Sequence, residues 1–297
     1  MNGILLIDKP EGMTSAEVVR RVKRAVGVKV GHLGTLDPFA TGLLPLCLGE
    51  ATKIAQFLAV ADKRYEGIIR LGSATDTGDR TGRTIRTAPI PDLAGLDLTA
   101  LASQFIGEQQ QIPPMYSALK REGVPLYRLA RQGVEVARAP RPVRIDNLLL
   151  SAAGPGSLRF SLACSKGTYV RVLGEDIGAV LGSAAHLDAL RRTGFGPFRI
   201  EAAAALDTWT AEQPSSLVAL RQALGHLPAI QLNAKMAEAV SQGKAWVLDS
   251  LAAQPGETAV LVDGRDDVLA VVVRHGTAWT YARVLSISRL YKNQAVC

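Results

Sequence analysis

The chain has 297 residues, 47% hydrophobic and 21% charged, enough to bury a full core and to form two domains or one large domain with an appendage. No run of about eighteen apolar residues occurs and the first apolar stretch ends at Asp8, which argues against a spanning helix or secretory signal and gives a cytoplasmic protein as the expectation. The formal charge of +7 favours a polyanionic partner, and the scattered Cys47, Cys164 and Cys297 form neither a zinc pattern nor a disulfide framework.

In chain order, a buried strand is expected at residues 3–7, closed by the turn Asp8-Lys9-Pro10-Glu11-Gly12. A helix follows: Thr14 and Glu17 make a capping box, and Val18, Val19, Val22, Ala25 and Val26 fall at helical spacing. Gly27 stands where a left-handed cap ends a helix. From 29 to 45, Gly31, Gly34, Pro38, Gly42 and Pro45 break every period while charges stay few, so this reads as a loop held against the fold. Helical periodicity returns at 51–59, residues 64–71 alternate as a half-buried strand, and 75–81 form a polar turn. That turn contains Asp76-Thr77-Gly78, the tripeptide of aspartic proteases. Those enzymes need two such carboxylates sharing a proton between apolar flanks, and here one copy has polar flanks.

Between Lys120 and Arg144, seven basic residues (Lys120, Arg121, Arg128, Arg131, Arg138, Arg141, Arg144) stand against Glu122 and Glu135, a net +5. Such clustering in a loop-rich stretch suits an arm that tracks phosphates; the plain alternative is a basic surface helix at 124–132. Strands at 143–150 and 158–164 around Gly154-Pro155-Gly156 read as an antiparallel hairpin, and a helix begins near Tyr169. Leu190 reads as a buried helix leucine. After a punctuated stretch at 225–228, a short helix at 233–242 and strands at 259–262, 268–274 and 279–285 make a small all-β module, so one domain cut falls near 228. Hairpin strands with irregularly interspersed helices give an α+β fold on a mixed or antiparallel sheet.

The segment Gly31-His32-Leu33-Gly34-Thr35-Leu36-Asp37-Pro38-Phe39-Ala40-Thr41-Gly42-Leu43-Leu44-Pro45, continuing into Cys47-Leu48-Gly49-Glu50-Ala51-Thr52-Lys53, resembles almost letter for letter the catalytic loop of the TruB family of pseudouridine synthases. Gly3-Ile4-Leu5-Leu6-Ile7-Asp8-Lys9-Pro10, Asp62-Lys63-Arg64-Tyr65, Gln111-Ile112-Pro113-Pro114-Met115-Tyr116-Ser117-Ala118-Leu119-Lys120 and Cys164-Ser165-Lys166-Gly167-Thr168-Tyr169-Val170-Arg171 match in family order. The resemblance implies a pseudouridine synthase fold with a central, mainly antiparallel mixed sheet flanked by helices. It implies a catalytic domain at 1–228 with an RNA-clamping arm at about 112–144, and at 229–297 a small β-barrel-like RNA-binding domain of PUA type. The letters of that last module match poorly, so its assignment rests on position, length and strand count.

The activity so implied is conversion of uridine to pseudouridine at position 55 in the T loop of tRNA, with base flipping and without cofactor or metal. Breaking the bond from N1 to the ribose, turning the base and rejoining it through C5 needs an anionic group beside the sugar and no redox agent. The resemblance makes Asp37 that group and Arg171 the cation that holds its pKa down. By residue type alone, an Asp before Pro is a turn former and an Arg at a helix start a surface residue. The resemblance also sets Tyr65 against the base, gives His32 a part in displacing it, and packs Leu190 under the uracil. Without it, these read as a sheet aromatic, a core histidine and a core leucine. Lys9, Lys166 and Tyr169 are expected near the RNA, and Arg128, Arg131 and Arg138 on its phosphates. The partner is tRNA, bound by a monomer without guide RNA or membrane; the alternatives are a tRNA-binding or folding factor without catalysis and a guide-dependent synthase.

Overall fold

The computed structural model describes residues 1–59, 61–212, 216–251 and 256–286; Cys297 and the tail of the expected C-terminal module lie outside them. Strand Gly3–Lys9 is almost wholly buried because it is covered on both edges, by Thr41–Leu48 antiparallel and by Ala204–Ala205 parallel. The main sheet continues from Thr41–Leu48 through Ala185–Phe195, Lys63–Leu71, Ser157–Cys164 and Arg141–Ala152 to Gly107–Gln111. Every pairing beyond Ala185–Phe195 on this path is antiparallel. Helices Ser15–Val26 and Val170–Val180 lie on one face, their Val18, Val22, Leu173 and Ile177 sharing a core with Leu5, Leu46, Ile69 and Leu187. The Thr14–Glu17 capping box forms, and Gly27 closes the first helix at φ 66°.

One junction positions the site. Thr41–Leu48 and Ala185–Phe195 run parallel and pair only at Arg191↔Thr41 and Arg192↔Gly42, so the sheet splits there. Gly42 takes φ 101°, and a Cβ on it would stand 2.4 Å from the Arg192 carbonyl oxygen, so only glycine lets the strands meet. The residues just before Thr41 cross the mouth of this split.

Three local expectations change. The stretch 29–45 is not one loop: Val30–His32 pairs with Thr41–Leu48, a strand that runs straight through Pro45 and so loses the usual strand signature. Leu190 lies on the strand Ala185–Phe195, not on a helix; a bulge between Leu187 and Ala189 breaks the alternation that marks a strand. The helix at 51–59 divides into a 3-10 turn, Gly49–Lys53, and the short helix Ala55–Leu58.

The C-terminal module is also not a barrel among the described residues. Ala229–Gln231, Thr258–Val262, Val268–His275 and Ala278–Val284 form an open four-stranded sheet. One face packs Leu261, Leu269 and Val272 on Val240 of helix Ala234–Ser241. The other puts Val260, Val262, Val268 and Val271 into one cluster with Ile4, Leu6, Ile54 and Leu220. The module is therefore docked on the main sheet's apolar surface, and Ser286 N–H donates to Glu50 Oε2 at 2.8 Å across the joint.

Candidate active site

The segment before Thr41 is fixed by its own backbone. Leu33, Leu36, Phe39 and Ala40 are buried, and all five carbonyls from Gly34 to Pro38 accept hydrogen bonds. Arg192, with no exposed surface, donates to Gly34 (3.1 Å), Thr35 (3.4 Å) and Leu43 (2.7 Å). Ser15 Oγ donates to the Leu36 carbonyl at 3.0 Å and accepts from its N–H at 2.8 Å. Ala40 N–H caps the Asp37 carbonyl, and Gly12 N–H and Lys9 Nζ share that of Pro38. Residues far apart in the chain thus hold one carboxylate bearer in place.

The Asp37 carboxylate pairs with Arg171, Nε to Oδ2, at 3.0 Å. Arg171 is 5% exposed, rises from the start of helix Val170–Val180, and spends its other arms on the carbonyls of Thr77 and Tyr116, the latter at 2.7 Å. The expectation that the guanidinium holds the Asp37 pKa down is half of the balance. Burial raises it, Arg171 opposes, and Asp79 adds to the rise, so the net direction is upward. With 35% of its side chain open, Asp37 still meets solvent, which relieves part of the burial effect.

Asp37 and Arg171 line a cavity of about 340 Å³ together with Tyr65, Tyr169, Leu190 and Lys63. That volume is in the range of small-ligand sites. Three larger hollows among the described residues, of about 630, 650 and 750 Å³, do not include Asp37. Tyr65, 7% exposed, lies on strand Lys63–Leu71; burial raises its phenol pKa against the pull of Arg192. Leu190 supplies an apolar wall. Tyr169 is held by the Gln111 side chain, which accepts from its N–H at 2.9 Å and donates to its carbonyl at 3.4 Å.

Other expected residues lie elsewhere. His32 is half-buried on the strand Val30–His32, its Nδ1 has no partner among the described residues, and burial lowers its pKa. Lys166 is exposed in the turn before Tyr169. Arg128 and Arg131 are exposed on helix Leu126–Arg131, whereas Arg138 pairs with Glu135 at 3.1 Å and keeps 21% exposure. Lys9 departs most from expectation. Expected to add positive potential near the RNA, it is fully buried, donates to the carbonyls of Pro10 (2.8 Å), Met13 (2.7 Å) and Pro38 (3.3 Å), and burial brings its pKa down to about 8.

Sequence reasoning missed Arg192, Gln111 and the Thr77 carbonyl. For Arg192 a signal existed: adjacent residues of a strand point to opposite faces, so Arg191 and Arg192 cannot both be solvated on one face. The protease-like tripeptide has another use, since Thr77 gives its carbonyl to Arg171 and its hydroxyl to Asp79.

Residues 20–170 match the TruB family pseudouridylate synthase (N terminal domain), and residues 171–224 the tRNA pseudouridylate synthase B C-terminal domain. The chain belongs to the TruB family. It is 49% identical over 270 residues to tRNA pseudouridine synthase B of Aromatoleum aromaticum, covering 89% of this chain and 87% of that one. The protein of the same name from Burkholderia pseudomallei (strain 668) is 45% identical over 280 residues, 91% and 92% of the two chains. Among solved structures, a chain of the crystal structure of a Cbf5-Nop10-Gar1 complex superposes with a TM-score of 0.70 at 25% identity, over 95% of this chain and 84% of that one. The 171–224 match includes Ala185–Phe195, the strand beside the split, so both TruB segments build one sheet.

Proposed function

We propose that this TruB-family protein isomerises one uridine, position 55 in the T loop of tRNA, to pseudouridine. The observation that carries the reading is the Asp37–Arg171 pair at 3.0 Å, on the wall of a cavity and a third open. A protein that only bound RNA would gain nothing from a partly desolvated carboxylate facing a polyanion.

The nucleotide leaves the T-loop stack and enters the cavity, where Tyr65 offers a ring to the base and Leu190 an apolar floor. Asp37 presents its anionic oxygen to the sugar edge, held by Arg171. The N1–C1′ bond breaks, C5 takes the place of N1 on C1′, and the C5 proton is lost while N1 gains one. Atoms and electrons balance within the substrate. Arg128 and Arg131 bind phosphates and position the RNA, and the sheet from 229 to 286 serves as a PUA-like second contact.

The protein acts alone, as a cytoplasmic monomer. The likeness to a chain from a Cbf5-Nop10-Gar1 complex keeps a guide-dependent rival in view. Pure protein and unmodified tRNA, with no guide RNA, followed by mass-shift mapping of pseudouridine, separate the two. Product at position 55 with the parental chain and none with Asp37→Asn is expected. No product from tRNA without added guide RNA, or equal product from Asp37→Asn, overturns the reading.

A further inference from the structure

We propose that Lys63 is a catalytic residue whose ammonium sits at the edge of the extruded uracil and stabilises the negative charge that the base acquires as its N1–C1′ bond breaks. The inference rests on the isomerase reading above and deepens it. Three cations line the Asp37 cavity: Lys63, Arg171 and Arg192. Arg171 spends its guanidinium on Asp37 and the Thr77 and Tyr116 carbonyls, and Arg192 spends its own on Gly34, Thr35 and Leu43. Lys63 gives one hydrogen bond, to the Ala61 carbonyl at 2.9 Å, which leaves two of its three N–H donors unspent among the described residues.

Its position matches the base. Lys63 and Tyr65 are two residues apart on one strand, so both project from the same face, and both line the cavity that holds Asp37. The Lys63 stem passes beneath the catalytic loop: Cε lies 3.8 Å from where a Cβ on Gly34 would be, and Nζ stands 4.8 Å from the Phe195 ring centroid. Half-buried beside an aromatic face, the charge is screened far less than a surface lysine's. Burial, the largest influence, brings its pKa to about 8; Arg192 and Lys166 push the same way and Asp62 opposes them.

The chemistry supplies a use for such a group. When N1–C1′ breaks, its electron pair stays on the uracil and spreads over N1, O2 and O4. The pair from C5 then closes the new bond to C1′, the C5 proton departs and N1, which carried no proton in uridine, gains one. A fixed cation at the base edge lowers the barrier to the first of these steps without adding or removing any atom.

Single-turnover pseudouridine formation on unmodified tRNA tests this. Lys63→Met is expected to slow the reaction by roughly a hundredfold while tRNA affinity stays within about twofold, because phosphate contacts dominate binding. Lys63→Arg is expected to keep most of the rate. The parental rate should fall as pH rises through about 8, where Lys63 loses its proton, and Lys63→Arg should diminish that fall, what remains belonging to Lys9, which is also brought to about 8. A target base that leaves more readily, 5-fluorouracil, should shrink the Lys63→Met deficit in glycosidic cleavage. Parental turnover by Lys63→Met, a deficit wholly in affinity, or an undiminished deficit with 5-fluorouridine overturns the proposal. If Lys63→Met fails to unfold at the parental temperature, the decision passes to Lys63→Arg, and an unchanged alkaline fall overturns it. Absence of product from the parental chain would instead sink the isomerase reading.

Discussion

The loop at Gly34–Asp37 and the arm segment at Ser117–Leu119 line the same cavity, yet they are held in different ways. In the loop every carbonyl from Gly34 to Pro38 is claimed, four of the five by side chains from strands and a helix distant in the chain and that of Asp37 by the Ala40 N–H. In the arm the backbone bonds are local, Leu126 to Leu119 and Tyr127 to Ser117, and the buried Arg138 Nε has no partner among the described residues. Ile112, Val124 and Val134 are 41–51% exposed. The arm is tied to the chemistry through the Tyr116 carbonyl, which accepts from Arg171. The loop has the pre-organisation that charge stabilisation requires, and the arm has the slack that a macromolecular substrate needs to enter and be covered.

The largest effect should fall on the rigid side. Asp37→Asn keeps the shape of the loop and its carbonyl bonds while removing the charge, so the single-turnover rate should drop by more than roughly a thousandfold with little change in tRNA affinity. Arg171→Lys comes next, because an ammonium cannot reach Asp37, Thr77 and Tyr116 together; a loss of roughly a hundredfold is expected. The pH profile sharpens this. Burial raises the Asp37 pKa, so the parental rate should fall on acidification at a pH above the usual 3.8 of an aspartate. Weakening the Arg171 contact should move that fall to still higher pH. An acid limb that stays in place would show that Arg171 is tied to the arm alone.

Lys9→Met separates rigidity from chemistry, since Lys9 touches the loop only through carbonyls. The variant leaves the acceptors of Pro10, Met13 and Pro38 short of a donor, which should cost about 1–3 kcal/mol of stability. Lys9 titrates near 8 when folded and near 10.5 otherwise, so between those values the unfolded chain holds more protons and stability rises with pH. Denaturant midpoints across that window should show a shallower rise in Lys9→Met, with Lys63, also brought to about 8, supplying what remains.

How far the sequence carries follows the same division. The capping box of Ser15–Val26, the strand Lys63–Leu71 and the hairpin of Arg141–Ala152 with Ser157–Cys164 were legible because their signals are local and periodic. Asp37, Tyr65 and Arg171 were nameable from a family resemblance, and the cavity they share came only with the fold. The burial of Lys9 and Arg192 was not legible, because their partners are carbonyls, which every residue carries and no letter marks. Leu190 was misread because a bulge removed its alternation, and the strand through Pro45 because glycine and proline there serve a close strand contact rather than a turn.

The smallest effects belong to the arm, and they test it hardest. Arg128 and Arg131 sit exposed on the helix Leu126–Arg131, free of acidic partners among the described residues, whereas Arg138 already pairs with Glu135. An exposed arginine that meets a phosphate releases counterions, so each alanine substitution should weaken tRNA binding a few-fold at moderate salt and lower the slope of log affinity against log salt by about one. Arg138→Ala should change that slope less, because its charge is partly spent within the arm. The single-turnover rate at saturating tRNA should be unchanged in all three, since none touches the loop that holds Asp37. A slope altered by Arg138→Ala as much as by Arg128→Ala would mean that the Glu135 pair opens when RNA arrives. A fall in the saturated rate would mean that the arm, through Tyr116 and Arg171, sets the carboxylate as well as covering it.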